Sequence, residues 1–189
     1  MSKLITVLSL LILSLGTVSP ASADEYDDAI QAFKNAGQSG EFFDKAYGYA
    51  LFPTIAKGGL GVGAAHGKGR VYVGGKHVGD TAMTQVTAGL QAGGQAFSEV
   101  IFFENEAAFK QFTEGNFEFG AQAEAVAITA GASASTSTTG SSAGASASQN
   151  EATNVGSYYK GMAVFTMPKG GLMYEASIGG QKFGYTPRK

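Results

Sequence analysis

The chain has no cysteine and only two histidines. Without cysteine there is no disulfide, no thiolate metal site, no thiol nucleophile and no cysteine to carry a lipid anchor. The fold must therefore rest on its own core. About 165 residues are enough to bury most of their apolar surface. Two histidines leave few bases that could activate a hydroxyl nucleophile. An excess of charge of one sign is also missing, since 13 basic residues face 15 acidic ones. That balance excludes the basic footprint of a nucleic-acid binder.

What is there begins with a leader. Lys3 precedes an apolar run over 4–18, Pro20 follows, and Ala21-Ser22-Ala23 offers a small-x-small cleavage pattern. The run is too short for a membrane span. The sequence predicts a signal peptide over 1–23 and export to the periplasm or beyond. Residues 24–189 then form a single domain with a net charge of −3, because Lys3 is lost with the leader. Glycine, at 28 residues, is about twice its usual share. That composition suits closely packed or strongly twisted strands better than a helical bundle.

Acidic residues open the segment 24–37, where the helix dipole favours them, and Tyr26, Ile30 and Phe33 share one face. A second short helix is expected over 40–48, capped by Ser39, with Phe42, Phe43, Ala46 and Tyr47 as its apolar face. Strands follow. Pro53 makes 49–55 an edge strand or a turn. Residues 59–67 and 70–79 read as a hairpin through Lys68-Gly69. Residues 82–103 are long enough for two strands or one strongly bent strand. The clearest helix spans 104–115, with Asn105 as cap, Ala108, Phe109 and Phe112 on one face, and Gly115 at its end. Residues 117–128 alternate as a strand does.

Segment 129–152 holds nothing larger than threonine until Gln149. A flat hairpin and a flexible loop both fit it. Two apolar strands, 161–167 and 171–179, close the chain. The pattern is α+β: a compact, glycine-rich, mainly antiparallel sheet or barrel-like core, short N-terminal helices and one helix near 105–114.

No constellation carries catalysis or metal chemistry. His66, His77 and Asp80 match no ligand spacing, and no Gly-x-Ser-x-Gly elbow occurs. The glycine-rich 58–69 lacks the strand–turn–helix context of a phosphate loop, and Lys68 is followed by Gly69 rather than Ser or Thr. One local feature opposes the overall charge. Lys57, Lys68, Arg70 and Lys76, with His66 and His77, fall in a stretch free of Asp and Glu. They make either a small basic patch for anionic headgroups or scattered solubilising charges.

Taken together, 45–72, the run Thr87 to Gln95, the exit Ser98 to Phe103 and the ending 155–180 resemble the SYLF domain family. The shared pattern includes Ala50 to Phe52 leading into Lys57-Gly58-Gly59, then Gly61 to Gly63. The resemblance implies a glycine-rich antiparallel fold, lipid binding and no enzymatic activity or cofactor. It suggests that the glycines let strands bend or cross closely, with Gly93-Gly94 as a bend that Gly94→Val would strain. The segment 24–36 is acidic, unlike the helix credited with phosphoinositide binding in eukaryotic members. The expected site is therefore Lys57, Lys68, Arg70 and Lys76, with Phe42 or Phe43 inserting into a phospholipid or envelope surface. The alternative is a structural module that self-associates or binds a protein through the 131–149 strands.

Overall fold

The structure, a computed structural model, describes residues 21–120, 125–128, 158–169 and 178–189. The expected leader up to residue 20, the small-residue segment 129–152 and residues 171–177 of the last expected apolar strand lie outside the described residues.

Three helices open the described chain: α1 (Ala21–Asn35), α2 (Gly37–Gly40) and α3 (Phe42–Lys45). Ser39 does not cap a helix. It is buried inside α2, and its Oγ donates to the Phe33 carbonyl at 2.6 Å. That bond satisfies a carbonyl at the end of α1, which would otherwise lack a partner.

The body of the fold is one long ribbon. β1 (Gly48–Val73) and β2 (Lys76–Phe103) pair antiparallel from Gly48↔Phe103 to Val73↔Lys76. The turn is Gly74-Gly75, with φ of 56° and 75°. Two successive residues with positive φ make the turn whose twist matches a hairpin. The turn expected at Lys68-Gly69 is a correction: both residues lie mid-strand, and Gly69 pairs with Thr81. Pro53 sits at a register shift between Phe52 and Ile55, where the ladder tolerates a missing donor. The segment 82–103 is one strand, as its second reading allowed.

The ribbon doubles over, so the second half of β1 packs on the first. Glycines make the contact. A Cβ on Gly69 would fall 2.7 Å from the Leu51 carbonyl oxygen and from the Phe52 ring. One on Gly67 would meet Ile55 at 2.6 Å, and one on Gly48 would strike the Tyr72 carbonyl oxygen. Gly94, expected to be such a position, is not one. A Cβ there meets only the Lys57 carbonyl oxygen, at 4.0 Å. The close approaches belong to the inward-facing glycines of the ribbon instead.

β2 continues the sheet on its other edge. Its start pairs with β6 (Lys182–Pro187) and its end with β5 (Met162–Lys169), both antiparallel. Two-residue strands β3 (Phe117–Glu118) and β4 (Val126–Ala127) flank these, β4 being the one parallel neighbour. The result is a mostly antiparallel half-barrel with a few short helices, an α+β fold.

Two cores follow from strand parity. Inside the folded ribbon lie Phe52, Ile55, Val71, Met83, Phe97, Ile101, Phe103 and Phe183. Helix α4 (Glu106–Thr113) adds Ala108 and Phe112 to that core, and Asn105 Oδ1 caps it by accepting the Ala108 amide at 3.0 Å. On the opposite face, Leu51, Val100, Phe102 and Phe165 pack under Tyr26, Phe33 and Phe42 from the N-terminal helices. Each such side chain, fully buried, contributes about 1.5–3 kcal/mol.

Candidate functional site

Alternation along the ribbon also fixes what faces out. From residue 62 to 70 of β1, the even positions Val62, Ala64, His66 and Lys68 are exposed and Arg70 is half-buried, while the odd ones are buried. On β2, Asp80, Ala82, Thr84 and Val86 lie opposite and are exposed. Among the described residues, no helix covers this outer face beyond Tyr26, whose hydroxyl donates to the Lys68 carbonyl at 3.4 Å. Val62 is 66% exposed and Val86 75%. They are diagonal neighbours across the ladder, since Ala64 pairs with Val86.

The face is graded. Bare valines stand near the ribbon's fold, and His66, Lys68 and Arg70 follow at every second residue. A strand rises about 3.3 Å per residue, so these side chains stand about 7 Å apart. The Arg70 guanidinium lies 4.0 Å from the centre of the Tyr26 ring, a cation–π contact. Asp80 lies opposite it in register.

The other expected site residues are placed differently. Lys76 is exposed beside the Gly74-Gly75 turn, at the far end of the same ribbon. Lys57 is 9% exposed. The register shift at Pro53 puts it on the inward side of β1 with Ile55, so its ammonium is not offered to a headgroup. Phe42 is also 9% exposed and packs on Phe102, Tyr158 and Phe165 with ring centroids 5.1–5.3 Å apart. Phe43 is half-buried between Tyr49 and Phe102. Exposing Phe42 would empty the second core, whereas Val62 and Val86 are already exposed. The reading of the sequence did not single these two out.

The histidines are not brought together. His66 pairs with Thr84 and His77 with Tyr72. Arg188 donates to His77 Nδ1 at 2.6 Å, which leaves the ring proton on Nε2, facing Asp80 Oδ1 at 2.9 Å. His77 thus ties the C-terminal residues to the ribbon's turn.

Polar groups also intrude into the inner core. Glu99, Thr166 and Gln181 have no exposed surface. Gln181 Nε2 donates to Glu99 Oε2 at 2.9 Å, while among the described residues Glu99 Oε1, Thr166 Oγ1 and Gln181 Oε1 have no partner. Burial pushes the Glu99 carboxyl up to about 7, against a smaller lowering by the Gln181 amide.

The described residues form a glycine-hinged, mostly antiparallel half-barrel. Residues 84–183, more than half of the chain, match the family described as "Ysc84: Las17-binding protein actin regulator". The chain belongs to this family, that of the SYLF domain, whose members are non-enzymatic binding domains. It is 32% identical over 156 residues to Beta cell expansion factor A of Aeromonas veronii. That alignment covers 82% of the chain and 51% of the relative, so the chain spans about half the length of the protein it matches. The family match includes Glu99, Thr166 and Gln181 and begins after Arg70.

Proposed function

We propose that this protein is an exported, non-catalytic module of the cell envelope that docks on anionic phospholipid surfaces. The observation that carries the reading is the outer face of the ribbon, covered among the described residues by Tyr26 alone, where exposed Val62 and Val86 adjoin the His66–Lys68–Arg70 row. Valine burial and basic attraction act from one surface. Each valine inserted contributes about 1.5 kcal/mol and each cation near an anionic surface about 1 kcal/mol. With Lys68, Arg70 and Lys76, the sum is about 6 kcal/mol, which corresponds to a Kd of about 0.04 mM and to a strong dependence on salt.

The test is co-sedimentation with vesicles of phosphatidylcholine, with and without phosphatidylglycerol, at low and physiological salt. The wild type is expected to bind the anionic vesicles and to lose binding with salt. Val62→Ser/Val86→Ser and Lys68→Glu/Lys76→Glu are each expected to cut binding at least fivefold, with melting temperature unchanged. Wild-type binding by both variants refutes the assignment. The family description names a protein partner, and a protein seated on the same face is the second reading. A second copy seated there would appear as a concentration-dependent dimer in sedimentation, sensitive to the valine substitutions and indifferent to lipid.

A further inference from the structure

The proposed docking face makes no use of a costly buried group in the inner core. Glu99 is a carboxyl with no exposed surface and one hydrogen-bond donor. An ionised carboxylate has room for several donors, and in a dry interior each missing one counts. Among the described residues, its surroundings offer no counter-charge. Phe52 of β1 and Thr166 of β5 lie opposite it, Ile178 and Gln181 approach from the turn before β6, and α4 brings Ala108 and Phe112 into the same core. None of these is titratable. Lys57 shares the inward side of β1 but lies opposite Gln95, four residues along β2.

The partner's position gives this group a role. Gln181 leads directly into β6, which is paired to residues 79–84 in the first half of β2. Glu99 stands in the second half, beyond the fold of the ribbon. The bond between them therefore crosses from one wall of the folded ribbon to the other. On the Gln181 side, Gln85 Nε2 holds the Gly179 carbonyl at 2.9 Å, and Thr81 Oγ1 holds that of Gly184 at 2.7 Å. These bonds keep the turn and β6 with their own wall. Across the gap, Phe183 meets Phe52 and Phe112 at 5.7 and 5.1 Å. Within the inner core, the described parts of the two walls are joined by apolar contact and by this buried polar pair.

We propose that the Glu99–Gln181 pair is a proton-operated latch between the two walls, closed while the carboxyl is protonated and released when it ionises. Release lets water reach the carboxylate and draws Phe183 away from Phe52 and Phe112, while β6 stays paired with its own wall. Resting on the membrane-docking reading, it also gives the docked protein a second apolar surface, the inner wall. Burial raises the carboxyl from 4.5 to about 7, which places the release between those values and a little above. An open form that exposes Glu99 to water gains about 100-fold in population across that window.

Hydrogen exchange on the protein without lipid, at pH 5.5, 7.0 and 8.5, tests the latch. Rates are corrected for the intrinsic pH dependence of amide exchange. Protection over the turn 178–181, which loses its Gln181 anchor, is expected to fall about 30-fold between pH 5.5 and 8.5 in the wild type and to stay level in Glu99→Gln. The same fall in both proteins overturns the proposal, as does a loss spread evenly over the whole chain. Carbon-13 NMR of the wild-type glutamate carboxyls gives the Glu99 midpoint without any substitution, and a midpoint below 5 also overturns the latch. Vesicle binding at pH 6 and 8 separates the two readings. Binding that strengthens at pH 8 in the wild type and not in Glu99→Gln supports the latch acting on docking. Equal binding at both pH values removes that consequence, and no binding at either removes the docking reading while the exchange result still judges the latch.

Discussion

Gly69→Ala isolates the contact on which the folded ribbon depends. Gly69 is buried, and an added methyl group would lie 2.7 Å from the Leu51 carbonyl oxygen and from two carbons of the Phe52 ring. Backbone on one side and a ring with no exposed surface on the other leave little to move. Phe52 is itself wedged against Phe183. Overpacking of this kind costs about 1–3 kcal/mol, and a backbone obstacle places it at the upper end. In a chain of this size, 3 kcal/mol lowers the melting temperature by roughly 6–12 °C. Gly94→Ala is the matched control, because a methyl group there meets only a carbonyl oxygen at 4.0 Å. It should stay within about 0.5 kcal/mol of wild type. Thermal and urea unfolding followed by far-ultraviolet circular dichroism compare the two. Equal midpoints for both variants, or a larger loss for Gly94→Ala, would refute the account of where the ribbon's walls touch.

Two more perturbations follow from named bonds. Asn105→Ala removes the acceptor of the Ala108 amide and should cost about 1 kcal/mol in urea unfolding; a loss under about 0.3 kcal/mol would mean that amide finds another partner. Glu99 should make stability depend on pH. Its folded value is raised from 4.5 to about 7, so the native state binds the extra proton between these values. Stability is then greatest below 4.5, falls as pH rises to 7, and levels off having lost about 3 kcal/mol. Glu99→Gln should flatten that slope and raise stability at pH 8, and an unchanged slope would assign it to other groups.

Much of the fold was legible, for physical reasons that differ by element. Helix α4 has a cap, an apolar face and a glycine stop, and all three signals are local. The single strand β2 was one of the two readings left open for 82–103, and its start at Lys76 was hidden by the misplaced hairpin. The hairpin turn was misplaced. Lys68-Gly69 resembled a two-residue loop, yet Gly74-Gly75 is the pair that can adopt positive φ twice, and the inward glycines of β1 serve packing rather than turning. At the proposed site, Lys68 and Lys76 lie exposed and Arg70 lies half-buried on one ribbon, one of the two arrangements their spacing left open. Lys57 does not lie exposed, because a register shift five residues earlier reverses parity and turns it inward. Phe42 looked exposable because short amphipathic helices often are. The missed signal lay in the strands. Leu51-Phe52, Val100 to Phe103 and Met162 to Phe165 are apolar at consecutive positions, the mark of a sheet buried on both faces. Such a sheet requires a second cover, and the N-terminal helices supply it.

The two-glycine turn has a consequence for how so long a ribbon can be assembled. Its last pair, Gly48 with Phe103, joins residues far apart in sequence. Closing a loop of that length in one step would cost entropy that rises with the logarithm of its length. Zipping outward from Gly74-Gly75 avoids the step, since every new pair adds one residue on each side of a ladder already closed. Doubling over then brings together two stretches of an ordered ribbon, Leu51 beside Gly69, rather than two ends of a free coil. The molecule thus attains widely separated contacts while closing little more than one short loop at a time.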